Sequence, residues 1–464
     1  MGPETSNYRN LNENPCSMCM PMGAILPFKG IEETMVVLHG SQGCSTYMRR
    51  HIAEHFNEPV DVGSSALNEK GTVYGGEGNL KKALDNIIKV YQPKLIGVLT
   101  TCLAETIGED IRRITTDYLA EHGLEELAIV PAATPGYGGN HPEGYFLAVR
   151  SIVETLTEKT GAHARVNIVI PNISPADIRE LKRILRLMEA DYVLLPDISD
   201  TLDRPYEKPY TKIAKGGTKI TDIKAMGGAA ATIQMGITMA DELSPGKYLA
   251  ERFGVPLFNL PIPIGVENTD LFINTLSKIT GKPCPDSLKH ERGRLLDAMI
   301  DSHKYNFQGR SVVFGEPELV YAVAKTCFEN GIFPLVIASG SKNDRLGGLL
   351  KREIELAPEK TVILNEADFT QIREKSKAAG VNVAIGHSDG RYLTEKEGIP
   401  LVRLGFPIHD RVGGQRLLSV GYTGTAMLLD RITNTLLENK YKTYRSVMKE
   451  KYFRDSKQRI AGAK

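Results

Sequence analysis

The chain has almost no net charge: 57 Lys and Arg stand against 56 Asp and Glu, a formal balance of +1 over 464 residues. A balance so near zero offers neither nucleic acid nor an anionic membrane surface a counter-charge, and neither is expected as a partner. Long apolar runs are also missing, since no stretch approaches the ~20 residues of a spanning helix. The opening residues Met1–Asn7 lack the basic-then-apolar pattern of a secretory leader, so a cytoplasmic location is expected. Cysteine is scarce, six in all, which excludes a disulfide-stapled scaffold in a chain of this length. There is no Walker loop, no paired-carboxylate signature and no nucleophile–His–acid arrangement. A hydrolase therefore has little to stand on.

What the chain does have is an alternation of short apolar runs with amphipathic helical runs, at 41% apolar and 24% charged residues. That pattern predicts an α/β protein of three Rossmann-like, doubly wound domains with parallel sheets. The boundaries expected are 1–163, 164–309 and 310–438, followed by a charged tail, 439–464, read as a helix extension or a partner-binding arm. Strands are expected at 35–38, 95–99 and 127–130 in the first block. In the second they are expected at 166–170, 192–195, 231–235 and 256–260, and in the third at 311–314, 333–337, 361–364, 383–385 and 401–404. Helices are expected at 79–91, with Asn79 as N-cap, from Ser174-Pro175 onward, at 318–330 and at 422–437. The turn Gly315-Glu316-Pro317-Glu318 resembles a first βα turn but has no G-x-G-x-x-G, so no dinucleotide site is inferred.

Four of the six cysteines fall within the first 102 residues. Cys16 and Cys19 form a C-x-x-C with no second pair nearby, which counts against a zinc ribbon. Cys44 closes His39-Gly40-Ser41-Gln42-Gly43-Cys44 after an apolar strand. Cys102 follows the strand 95–99 at its carboxyl end, where open α/β sheets put ligands. Three thiolates from such turns can grip a metal–sulfur cluster. Cys16 stands as an additional candidate beside Cys19. Cys327 lies in a helical pattern and reads as a small core residue. His141, His387 and His409 read as loop residues, exposed or at most supporting a site.

These turns, together with Asn57-Glu58-Pro59, Tyr74-Gly75-Gly76, Thr100-Thr101-Cys102-Leu103-Ala104-Glu105, Thr134-Pro135-Gly136-Tyr137 and Gly405-Phe406-Pro407-Ile408-His409-Asp410-Arg411, resemble the nitrogenase component 1 superfamily. The resemblance is closest to its β-type branch, which includes the dinitrogenase β subunit, its cofactor-scaffold paralogue and nitrogenase-like reductases such as the methylthio-alkane reductases. It implies an oxidoreductase subunit that works with an α-type partner in an α2β2 assembly. It further implies that Cys19, Cys44 and Cys102 hold half of an interfacial P-cluster-like Fe–S centre. That centre would relay electrons from an ATP-dependent iron protein to a Mo-, V- or Fe-containing cofactor in the partner. Tyr74 falls where the iron protein would dock. No catalytic residue is then expected in this chain. Asn140 departs from the family, whose β subunit has a switchable serine ligand there. The Gly413-Gly414 pair departs toward the scaffold paralogue, which instead tends to keep only the cysteine matching Cys44.

Overall fold

The computed structural model describes residues 16–124 and 126–461, with side chains to 442 and at 444 and 447–449. The segment read for a leader lies outside the described residues. Among the described residues thirteen strands form three sheets, and every strand pairing in them is parallel. The first sheet has the order β2 (Gly63–Ser64), β1 (Thr34–His39), β3 (Leu95–Thr100), β4 (Ala128–Ala132). The second runs β6 (Tyr192–Leu195), β5 (Val166–Val169), β7 (Ala231–Met235), β8 (Leu257–Leu260). The third runs β11 (Val362–Leu364), β10 (Phe333–Ser339), β9 (Arg310–Gly315), β12 (Val383–Gly386), β13 (Leu401–Arg403). This is the α/β, Rossmann-like, doubly wound architecture expected from the alternating pattern. Parallel strands must be reached by crossovers, and burial on both faces makes them continuous apolar runs. β1 and β3 are buried at every position.

The first sheet shows why those runs pack as they do. Met35 and Val37 face Leu80, Leu84 and Ile87 of helix 77–91 on one side, with Tyr118 closing the same cluster. Val36 and Leu38 face the opposite side, which belongs to the main core. The alternation is the two-residue period of a strand laid between two helical layers.

The helices of the first block are α1 (Met20–Lys29), α2 (Gln42–Phe56), α3 (Glu69–Tyr74), α4 (Glu77–Tyr91), α5 (Cys102–Thr106), α6 (Ile111–His122) and α7 (His141–Leu156); α8 (Pro175–Leu187) follows in the second. α8 starts as expected, with Ser174 accepting from the Asp177 N–H and Pro175 in the first turn. α4 starts two residues before Asn79, on Gly76. Asn79 is not a cap: its amide donates to the Ser65 and Ala66 carbonyls and ties down the preceding loop. The charged C-terminal stretch continues the helix that opens after Val420, which runs Gly421–Ala461. This helix packs on helix Asp286–Asn306. No helix among the described residues is long and apolar enough to cross a membrane.

α1 had no counterpart in the sequence reading, because Pro21, Gly23 and Pro27 look like loop chemistry. Pro21 lies in the first turn, where its missing N–H costs nothing, and residues 20–28 are all buried. A helix apolar all round is a core helix. It lies against α7 in backbone contact: a Cβ on Gly23 would stand 1.7 Å from the His141 carbonyl oxygen, and one on Gly144 would stand 2.0 Å from that of Met20. Any side chain at either position must push the helices apart. Gly23→Ala is expected to cost about 1–3 kcal/mol or more, read as a lower thermal midpoint, whereas Gly161→Ala, in open space, should leave it unmoved.

Candidate metal–sulfur site

β1 and β3 are neighbours in the first sheet and end level, His39 pairing with Thr100. The chain leaves β1 toward β2 on one side and returns to β3 on the other. The gap between their carboxyl ends is thus the sheet's topological switch point, where open α/β sheets bind ligands. The next residues of both strands form the Cys44 and Cys102 turns. The loop after β4 adds Pro135-Gly136-Tyr137, and α1 brings in Cys19.

All three cysteines sit at helix N-termini. Cys19 is the N-cap of α1, Cys44 lies in the first turn of α2 after the cap Ser41, and Cys102 is the first residue of α5 after Thr101. Unsatisfied N–H groups there favour a thiolate. The sulfurs converge. A Cβ on Gly136 would lie 2.7 Å from Cys19 Sγ and 3.2 Å from Cys102 Sγ, so only glycine fits between them. The Gly136 N–H donates to Cys102 Sγ at 3.1 Å, and the Ser41 hydroxyl donates to Cys44 Sγ at 3.5 Å. Burial pushes the Cys19 thiol up to about 11, with charge repulsion from Cys102 and then Cys44 adding to it. Protein alone therefore holds Cys19 as a thiol, and cationic metal is what would draw off its proton.

Among the described residues, no three His, Cys, Asp or Glu side chains are grouped closely enough for a single metal ion. The three thiols are too dispersed for one ion, and a cluster that spans several ångströms matches their donor chemistry. Cys19 and Cys44 are half-buried and Cys102 is exposed, so the group opens on the surface of this chain.

Cys16 is elsewhere. It is 1% exposed in the core under the third sheet, 3.6 Å from His387 Nε2, and its N–H donates to the Ala367 carbonyl. Burial drives its thiol far up. It does not share the neighbourhood of the other three. The histidines differ from expectation in their burial, although His387 and His409 do lie in loops. His387 is buried between Cys16 and Asp389, with Nδ1 3.4 Å from Asp389 Oδ2. His409 is mostly covered, 3.9 Å from the other oxygen of Asp389. His141 is buried at the start of α7. Its Nδ1 accepts from the Met18 N–H at 3.0 Å, which puts the ring proton on Nε2, where it donates to Glu316 at 3.1 Å. It thereby fixes the strand of chain that delivers Cys19.

Asn140 pairs with Cys19 in an isolated antiparallel bridge. Its N–H donates to Glu143 Oε2 and its side-chain amide donates to the Gly340 carbonyl, both at 3.0 Å. The side chain beside Cys19 is thus committed to holding the third block. Gly413-Gly414 has a packing reason: a Cβ on Gly414 would come 2.9 Å from Ile408 Cβ and 3.2 Å from the buried His55 ring. Tyr74 ends α3 and is 83% exposed, beside Val73 at 74%. Sequence reasoning missed the part of Gly136, though the quoted Thr134-Pro135-Gly136-Tyr137 contained it.

The nitrogenase component 1 type oxidoreductase family matches residues 19–437. The chain is 37% identical to the nitrogenase molybdenum-iron protein beta chain of Clostridium pasteurianum over 94% of its length and 95% of the relative's. It is 34% identical to the nitrogenase vanadium-iron protein beta chain of Trichormus variabilis over 91% and 93%. A solved structure of nitrogenase Cp1 at pH 6.5 superposes with a TM-score of 0.89 at 36% identity, covering 94% of this chain and 95% of that one. The chain belongs to the nitrogenase component 1 type oxidoreductases, in their β-type branch.

Exposure and thiol acidity order the cysteines. Cys327, like Cys16, is buried, and its thiol is pushed up to about 12. In iron-depleted protein at pH 8, iodoacetamide should modify Cys102 first, Cys19 about tenfold or more slowly, and Cys16 and Cys327 last. Peptide mass spectrometry over time reads the order.

Proposed function

We propose that this chain is the β-type subunit of a nitrogenase or nitrogenase-like reductase, and that Cys19, Cys44 and Cys102 hold half of a P-cluster-like Fe–S centre. The carrying observation is the convergence of Cys19 and Cys102 on Gly136, with Cys44 felt electrostatically by Cys19, at the switch point of a parallel sheet. Bound there, the centre supplies a low-potential electron relay. Hydrogen bonds from Gly136 and Ser41 to sulfur, and the partial burial of the thiols, are the protein's means of tuning it. The open face of the site meets an α-type partner, whose thiolates complete the set, in an α2β2 assembly. The substrate-reducing cofactor, with Mo, V or Fe, belongs to that partner. An ATP-dependent iron protein docks over Tyr74 and delivers the electrons. The assembly works in the cytoplasm.

The test is anaerobic co-production with the α-type partner, followed by iron counting and electron paramagnetic resonance. The parent complex should carry an eight-iron interfacial centre with redox transitions at low potential. Cys19→Ala, Cys44→Ala and Cys102→Ala should each lose its signal, with turnover falling at least as far as the roughly 10–100-fold loss typical of a supporting residue. Cys16→Ala should keep it. An unaltered signal in Cys102→Ala ends the three-thiolate assignment, a four-iron cluster in the parent turns the reading to an assembly scaffold, and an iron-free complex sinks both.

A further inference from the structure

Glu109 follows α5 by three residues and is nearly buried, with two binding oxygens. Oε1 accepts from the Gly76 N–H at 2.5 Å, and Oε2 lies 3.4 Å from Nε2 of the fully buried His39. His39 Nδ1 is 2.9 Å from the Ser65 hydroxyl, which accepts the Gly40 N–H at 3.0 Å. One arrangement of protons satisfies all of these groups. Gly40 N–H donates to Ser65, the Ser65 O–H donates to His39 Nδ1, and His39 Nε2–H and Gly76 N–H both donate to Glu109. The packing is as close as the bonding, since a Cβ on Gly76 would lie 2.9 Å from the His39 ring. Three segments meet here: the turn after Val73–Tyr74, the β1 end that begins the Cys44 turn, and the α5 segment that begins at Cys102. Thr101 N–H also donates to the His39 carbonyl, so His39 is bound to both cysteine turns.

We propose that Glu109 is a positioning residue that ties the exposed Val73–Tyr74 knob to the turns bearing Cys44 and Cys102, so that a protein pressing on the knob resets those thiols. The carboxylate is the only shared acceptor between the Gly76 amide and His39 among the described hydrogen bonds. The two residues of the knob are 74% and 83% exposed, yet their C-terminal neighbours are clamped. A contact outside is therefore read inside through one side chain. This link rests on the proposed function for the identity of the docking partner and of the centre.

The test uses the whole complex, with Glu109→Ala and Glu109→Gln. With the iron protein and ATP, Glu109→Ala should lower the saturating turnover about fivefold or more while the half-saturating iron-protein concentration moves less than about twofold. Reduction of the centre by a small dye, reduced methyl viologen, should change less than about twofold. Glu109→Gln keeps an acceptor for Gly76 and should recover at least about half of the lost rate. Hydrogen exchange on the same complexes should rise about tenfold or more in Glu109→Ala at both 75–77 and 101–106. Unchanged turnover in Glu109→Ala overturns the link, as does an equal fall by both electron routes, loss of iron, or exchange that rises at 75–77 alone. An iron-free parent would sink the functional reading instead, and the paired exchange response would still decide the link.

Discussion

The interlock between the ends of β1 and β3 is the constraint on which the site depends. His39 and Thr100 pair level, the Thr101 N–H donates back to the His39 carbonyl, and Gly40 is packed so tightly on Thr101 that a Cβ would fall 1.9 Å from its hydroxyl. Two helices then start from adjacent points at the same height, each with a cysteine in its first turn. Neither turn can move without the other. Thr134 extends the lock to the third strand: its N–H and hydroxyl bond to the hydroxyl and carbonyl of Thr100 at 2.8 Å, and Gly136 follows two residues later. A chain of backbone and hydroxyl bonds thus sets where the sulfurs stand, and the sulfurs contribute little to it.

Cys19 arrives by a different route, and this explains the buried polar groups around it. α1 is held by apolar burial and by glycine-mediated contact with α7, forces without direction along the chain. Its register is set by polar bonds. His141 binds Met18, the bridge pairs Cys19 with Asn140, and Glu316 receives both His141 and Asn172, the latter at 2.7 Å. A buried carboxylate with two donors is stable where an unpaired one would be costly. Elements of all three sheets' blocks therefore converge on the segment that carries one thiol.

Much of the fold was legible because buried parallel strands are short apolar runs bounded by turns, and nearly every strand was readable within two residues. The Cys44 and Cys102 turns were legible for the same reason, since each follows such a run. α1 was not legible. Proline and glycine mark turns in a solvated chain, but here they serve a first helical turn and a helix–helix contact that only tertiary packing reveals. The burial of the histidines was not legible either: it comes from segments over 100 residues away in the cases of His141 with Glu316 and His387 with Cys16. The C-x-x-C spacing left Cys16 open as an additional candidate, and the fold separates the two. Cys16 and Cys19 are three residues apart, but an extended turn sends one side chain under the third sheet and the other toward Gly136.

That divergence sharpens the electrostatic case for a second chain. Three thiolates side by side repel, and Cys19 already resists ionisation, first through its burial and then through repulsion from Cys102 and Cys44. The structure offers no Lys or Arg hydrogen-bonded to any of these sulfurs among the described residues; the donors are backbone amides and a serine hydroxyl. Neutral donors tune a thiolate but do not balance three of them. Only bound cationic metal could, and under the proposed assignment three ligands on one side would leave a multinuclear centre bare on the other. Cys102 is the exposed one of the three, so the group opens on the surface of this chain. A partner's surface must close it, because an open cluster would be solvated and its potential set by water as much as by protein.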